Sequence, residues 1–298
     1  MSGLCLGTVQ LGMKYGVKNE LGRQPTEEES FAVLWAAKKG GVEFLDTASV
    51  YGEAEALLGR FDVVHAGFRV ISKLRPGLEK ATDKSVVLLE IEASLHRLKI
   101  KQLYGYMLHR ADDMENEAVV QGMIAAKEKG YTEHIGVSVY EPEDALHVVK
   151  SGIWDIIQVP YNVLDQRLDE TDFFEIAKKN RVKVFARSAF LQGLLLMDSE
   201  HLPTHLQKAG PYIEKFRQIV AENHYTPEEG AMLYSYCHPG IDCVVFGVDT
   251  EAQLIKNLEI CDNAEAFRMC WKGLQGAFVN VPREIIVPSL WRQDNGSK

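Results

Sequence analysis

A single (β/α)8 TIM barrel of the α/β class is the fold this 298-residue sequence predicts, and three observations carry it. Eight short apolar runs alternate with amphipathic stretches from end to end. No long linker divides them, so residues 1–298 read as one domain, with 276–298 as a C-terminal tail over the barrel top. The open doubly wound alternative would need G-x-G-x-x-G after an early strand, and none occurs. The nearest stretch, GTVQLG at 7–12, has the wrong spacing and is expected to open no helix.

Strands are expected near Leu4–Val9, Glu43–Asp46, Arg69–Lys73, Leu103–Leu108, His134–Ser138, Ile153–Val159, Val182–Ala186 and Asp242–Gly247. The 3.6-residue pattern predicts helices over Glu27–Lys39, Ala54–Phe61, Lys84–Leu98, Glu115–Lys129, Glu141–Lys150 and Asp172–Asn180. Tyr212–Asn223 and Pro227–Cys237 form a pair, and Thr250–Cys261 follows the last strand, with more helix near Ala264–Leu274. Thr26 with Glu29, and Thr226 with Glu229, have capping-box spacing, while Gly40-Gly41 and Gly130 follow lysine-rich last turns. The widest irregular stretches are Leu194–Gly210 and Phe278–Lys298.

Hydrophobic residues make up 46% and charged residues 25%, ample for a globular core. Net charge is −9 and no Lys/Arg run exceeds two residues, which excludes nucleic acid as the expected partner. Five cysteines without a C-x-x-C pair suit a reducing cytoplasm and exclude a disulfide framework or a zinc site. No signal or membrane segment is expected, the cytoplasm is the expected location, and the sequon at Asn295 carries no weight. A small molecule is the expected partner; no metal and no membrane are, and the oligomeric state is left open.

In such a barrel the active site lies where strands end at the C-terminal face. Strand two ends FLDTASVY, offering Asp46 and Tyr51; strand three ends VISKL, offering Lys73; strand four ends YGYMLHR, offering His109. Singly, each is more often packing, capping or solvated loop. Together they make a specific chemistry. A phenol is a poor acid near neutrality unless an ammonium favours its anion, and a carboxylate would hold that ammonium in place. The imidazole could orient a carbonyl gaining negative charge. Such a carbonyl needs a hydride, which no side chain supplies, so a nicotinamide cofactor is implied.

These residues, with LGTVQLG near the start and GVDTEAQLIKNLE near the end, resemble the aldo-keto reductase superfamily over nearly the whole chain. The resemblance implies reduction of an aldehyde or ketone to an alcohol, with NADPH or NADH as hydride source. It implies Tyr51 as general acid, Lys73 lowering its pKa, Asp46 pairing with Lys73 and His109 orienting the carbonyl. It places the carboxamide contacts at Ser138 and Gln158, although Val139 stands where many relatives have Asn. It places a pyrophosphate loop in FARSAFLQGLL, at Ser188, Phe190, Gln192 and Gly193. Arg187 stands where many relatives stack an aromatic ring, and phosphate or substrate contact is the favoured role. Thr8, Gly247, Gln253 and Asn257 complete the cofactor set, with Lys256 beside them, while Met13, Tyr15 and Trp291 fall near the substrate entrance. LGTVQLGMKYGVKN resembles a bacterial branch of the family often associated with sugar or surface-polysaccharide metabolism, which implies a sugar-related carbonyl.

Where the family commonly carries a cation for the 2′-phosphate of NADPH, this chain has Asp249, with Glu251 as a second acid. Asp249 could cap the following helix, but a carboxylate there also disfavours a phosphate and suits a free ribose hydroxyl. NADH is therefore expected to be less disfavoured than is usual in the family. Two rival readings stay open: a non-catalytic, redox-sensing, nicotinamide-binding regulatory subunit of an ion channel, and a barrel aldolase with Lys73 as a Schiff base.

Overall fold

The structure, a computed structural model, describes residues 2–78 and 80–291. Eight parallel strands close in sequence order: β1 (Gly3–Gly7), β2 (Phe44–Asp46), β3 (Arg69–Leu74), β4 (Leu103–Leu108), β5 (Thr132–Ser138), β6 (Ile156–Pro160), β7 (Lys183–Arg187) and β8 (Cys243–Gly247). Pairing of Gly3–Gly7 with Cys243–Gly247 seals the barrel. The TIM barrel expected from the strand count is thus the fold.

Helices surround it: α1 (Val9–Gly12), α2 (Glu27–Lys39), α3 (Ala54–Phe61), α4 (Ser85–Leu98), α5 (Glu117–Glu128), α6 (Pro142–Lys150), α7 (Phe173–Asn180), α8 (Gly210–Glu222), α9 (Pro227–Tyr236), α10 (Glu251–Asp262), α11 (Arg268–Leu274) and α12 (Arg283–Ile286). Both capping boxes form, at Thr26/Glu29 and Thr226/Glu229. GTVQLG departs from expectation, because β1 stops at Gly7 and the segment winds into the one-turn α1. The expected Glu115–Lys129 helix splits, since Asn116 accepts from the Ala118 N–H and starts α5 after a 3-10 turn. The stretch after β7 is a series of 3-10 turns rather than irregular chain.

The main core lies between the strands' outer face and the helices. A second cluster fills the barrel itself: Cys5, Ile71, Met107, Ile156, Phe185 and Val245, with Phe44 packed against it. Side chains alternate across a strand, so the residue two positions on from each of these also points inward. Cys5, Phe44, Ile71, Met107, Ile156, Phe185 and Val245 lead in this way to Gly7, Asp46, Lys73, His109, Gln158, Arg187 and Gly247. The layer beneath the mouth is thus apolar, and the layer at the mouth carries the chemistry.

Candidate active site

Lys73 and Gln158 are the most buried side chains of that ring, and Lys73 organises it. Lys73 is 1% exposed, and its Nζ donates to both Asp46 carboxylate oxygens at 2.6 Å and to the Thr47 carbonyl at 3.1 Å. Gln158 Nε2 donates to Asp46 Oδ1 at 2.7 Å, tying the second and sixth strand ends together. The Lys73 ammonium sits 5.3 Å from the centre of the Tyr51 ring, and Tyr51 meets His109 edge-on with ring centres 5.8 Å apart. The four groups gathered from three strand ends therefore form one cluster.

Two glycines place Tyr51. A Cβ on Gly12 would overlap the Tyr51 carbonyl, and a Cβ on Gly52 would overlap the Gly12 carbonyl. Gly52 also has φ +55°, which suits glycine. The end of α1 and the loop after β2 thus touch backbone to backbone, closed by the Glu53 N–H donating to Gly12 O at 3.3 Å.

Burial dominates the electrostatics. It pushes the Lys73 ammonium down, but Asp46 and Tyr51 outweigh it and the net shift is upward, so Lys73 stays charged. Burial lifts the Tyr51 phenol; Lys73 pulls it down, Asp46 raises it and Arg187 lowers it, and burial wins. Lys73 does lower the phenol as the sequence reading expected, but burial, which that reading left out, is the larger effect, so the phenol keeps its proton. Burial, then the charges of Lys73, Arg187 and Arg110, lower His109 to about 3, leaving a neutral imidazole. Its Nδ1 has no hydrogen-bond partner among the described residues.

A cavity of about 850 Å³ opens above this cluster and runs across the barrel mouth toward α10. The site residues singled out in the sequence line it, except Glu251, Lys73, which lies beneath, and Trp291, whose indole donates to the Ile285 carbonyl at 3.1 Å. Trp291 therefore does not reach the cavity. Of the expected tail over the barrel top, residues 276–291 are described: Arg283 pairs with Glu141 at the start of α6, and Lys215 donates to the Ala277 carbonyl. Residues 292–298, with the sequon, lie outside the described residues. Thr8 is fully buried, and its hydroxyl donates to the Asp46 carbonyl at 3.0 Å, so it holds the strand end in place.

The lining suits an extended dinucleotide. Ser138 and Gln158 offer a hydroxyl donor and an amide oxygen side by side, paired in register on β5 and β6. After β7, Ser188, Leu191, Gln192 and Gly193 all have positive φ, between +48° and +92°. Three non-glycine residues in that region within one loop mark strain of the kind stored at binding sites, and such turns aim backbone N–H groups at anions. The start of α10 faces the cavity through Thr250, Ala252 and Gln253.

The loop after β1 completes the cavity; sequence reasoning singled out Met13 and Tyr15 in it and missed its later residues, Val17 to Glu20. Tyr15 accepts from Gln192 Nε2 at 2.8 Å, the Val17 N–H donates to Gln192 O, and Lys18 Nζ donates to Leu196 O. Beyond them Asn19 Nδ2 and the Glu20 N–H donate to the two Asp249 carboxylate oxygens, each at 2.9 Å, and Gln253 donates to Glu20. A strap from β1 thus spans the loops after β7 and β8. For the residues beyond Tyr15, the advance signal was the length of chain between Gly12 and Thr26. Asp249 does not cap α10; Thr250 does, accepting from the Gln253 N–H. Glu251 does not line the cavity, and Glu20 and Glu228 are the acids that join Asp249 there. Tyr140, also missed, lies under Arg187, whose guanidinium carbon is 4.2 Å from the ring centre.

Among the described residues no helix is long and apolar enough to cross a membrane. The model of the aldo/keto reductase family matches residues 3–268. The chain is 26% identical over 202 residues to oxidoreductase sirO of Leptosphaeria maculans, covering 65% of this chain and 61% of the relative. It is 26% identical over 217 residues to the L-glyceraldehyde 3-phosphate reductase of Escherichia coli O157:H7, with the same coverages. It thus spans about three fifths of the length of these curated relatives. A Bacillus halodurans aldo-keto reductase in holo form shares the fold, with TM-score 0.73, 20% identity and 91% of each chain covered.

Proposed function

The chain belongs to the aldo/keto reductase family, whose general reaction is oxidoreduction of carbonyl compounds, and from that premise we propose that it reduces an aldehyde or ketone to an alcohol at the Tyr51 cluster. The single observation behind this reading is the buried Lys73–Asp46 pair beneath Tyr51, on the floor of a cavity of about 850 Å³. A bound nicotinamide supplies the hydride that the carbonyl carbon receives. Ser138 and Gln158 hold its carboxamide, the loop from Ser188 to Gly193 its phosphates, and Gln253, Lys256 and Asn257 its adenosine end.

The substrate oxygen gains negative charge as its carbon is reduced, and Tyr51 gives it the phenolic proton. Because burial keeps the phenol protonated, the acid is present in its working form near neutrality. The anion left behind lies beside the Lys73 ammonium, so stabilisation acts where charge develops. Neutral His109 directs a ring N–H at the same oxygen, and Asp46 keeps Lys73 charged and aimed.

For the cofactor, Asp249 favours a free ribose over a 2′-phosphate. Its carboxylate is held at the cavity wall by the β1 strap, Glu20 and Glu228 add like charge, and Lys256 lies 3.9 Å from Glu228. NADH use is therefore less disfavoured here than is usual in the family. The test of the function is reduced-cofactor oxidation with a panel of aldehydes and ketones, in wild type and Tyr51→Phe. Turnover should fall about a hundredfold or more while nucleotide binding persists. Near wild-type reduction by Tyr51→Phe would remove the phenol from the mechanism.

A further inference from the structure

The charges around the catalytic end of the cavity do not cancel. Lys73 is neutralised by Asp46, and His109 is neutral. Arg187 remains. It closes β7 two residues beyond the interior Phe185, so its side chain enters the mouth between the ends of β6 and β8, where it is in register with Pro160 and Val245. The guanidinium carbon lies 4.2 Å from the centre of the Tyr140 ring, and the group donates one N–H to the Val139 carbonyl at 3.1 Å and another to the Ser188 hydroxyl at 3.3 Å. Among the described residues it makes no ion pair; the nearby Asp165 is taken by Arg167 at 2.7 Å. Of its five N–H donors two are used, which leaves a half-buried cation with free donors on the wall of a reaction pocket.

Resting on the reductase reading, we propose that Arg187 is a specificity-determining residue that anchors an anionic group of the substrate, so that the substrate is an aldehyde or ketone bearing a carboxylate or phosphate. A guanidinium fork matches both anions in two-point contact, and the Tyr140 ring and the Val139 carbonyl hold it in place. The alternative occupant is the cofactor's pyrophosphate, which the position of Arg187 disfavours. Its charge acts on Tyr51, His109 and Tyr15, the groups around the reacting carbonyl. The strained turn suited to phosphates runs on to Gly193, beyond the strand end. One uncompensated positive charge at the substrate end calls for one negative charge on the substrate.

The test pairs each anion with a neutral counterpart: 4-formylbenzoate with its methyl ester, and glyceraldehyde 3-phosphate with glyceraldehyde. In wild type, kcat/KM should favour at least one anionic member, and which pair shows it separates carboxylate from phosphate. In Arg187→Gln that preference should shrink about tenfold to a hundredfold, mainly through KM, with Arg187→Lys between because it keeps charge without the fork. Reading the ratio within each pair removes any uniform loss of activity. Calorimetry adds a readout without turnover: 4-(hydroxymethyl)benzoate should bind wild type and bind Arg187→Gln about tenfold or more weakly. Equal wild-type kcat/KM within both pairs overturns the anion site outright. So does a loss in Arg187→Gln that falls on nucleotide affinity and leaves the ratios unchanged. If no aldehyde is reduced yet anion binding depends on Arg187, the reductase reading falls and the anion site stands. Reduction of the neutral members with no anion preference is the reverse result.

Discussion

Replacing Lys73 by methionine keeps the side chain's approximate volume and removes its charge, so the outcome reads the buried pair directly. In the wild type, Asp46 is 4% exposed and receives two hydrogen bonds from Lys73 and one from Gln158. The variant leaves Gln158 Nε2 as the remaining side-chain donor. Breaking one partner of a buried pair costs about 3–5 kcal/mol, because the other charge stays in a poor solvent. The carboxylate has an escape, which is to take up a proton. For an ordinary carboxylic acid at about pH 7 that costs about 4 kcal/mol, so the loss of stability saturates near that value. The escape becomes easier by about 1.4 kcal/mol per pH unit as the solution is acidified. Lys73→Met should thus be about 3–4 kcal/mol less stable than wild type near pH 7, and only about 1–2 kcal/mol less stable near pH 5. The sign follows from the orphaned acid: its protonated form is favoured in the folded state, so the deficit grows with rising pH. Urea unfolding followed by circular dichroism at both pH values measures it. A second variant carrying Asp46→Asn as well should recover part of the loss, since no charge is then stranded. A deficit under about 1 kcal/mol near pH 7, or one that does not change with pH, would refute the reasoning.

Two further outcomes follow from the same geometry. Asp249→Arg should raise kcat/KM for NADPH relative to NADH, because it removes an acid from the cavity wall and supplies a cation. It also releases the tether to Asn19 and Glu20, so dissociation of both cofactors should speed up in stopped-flow traces. A strong wild-type preference for NADPH, unchanged in the variant, would exclude Asp249 from cofactor choice. His109, lowered to about 3 by burial and by the charges of Lys73, Arg187 and Arg110, should give activity profiles without a histidine inflection near pH 6.5. Above about pH 6.5 its ring is neutral folded or unfolded and contributes nothing to the pH dependence of stability. As pH falls toward 3, the unfolded chain binds a proton that the folded one refuses, so stability is progressively lost. A wild-type His109 resonance that titrates near 6.5 would contradict this.

The sequence by itself determined most of the elements and the ring of chemical groups at the barrel mouth, because both are written in local periods. Alternation of two carries each strand from an apolar interior residue to a chemical one, Ile71 to Lys73 or Met107 to His109, and that step is legible without coordinates. Helix starts were equally local, since Thr26 and Thr226 need a glutamate only three residues on. What the tertiary structure decided is the fate of groups whose partners lie far along the chain. Asp249 looked free to cap α10; barrel closure lays β1 beside β8, and its oxygens instead accept from Asn19 and Glu20 from some 230 residues away, at the cavity wall. Glu251, one helical step further, turns away from the cavity, and Trp291 is held at Ile285. The Tyr51 acid strength was also beyond sequence reasoning. A neighbouring ammonium can be read from a motif, but the burial that outweighs it comes from the whole barrel mouth. Desolvation and loop-to-loop contact depend on everything that packs around a group, and no local pattern encodes that.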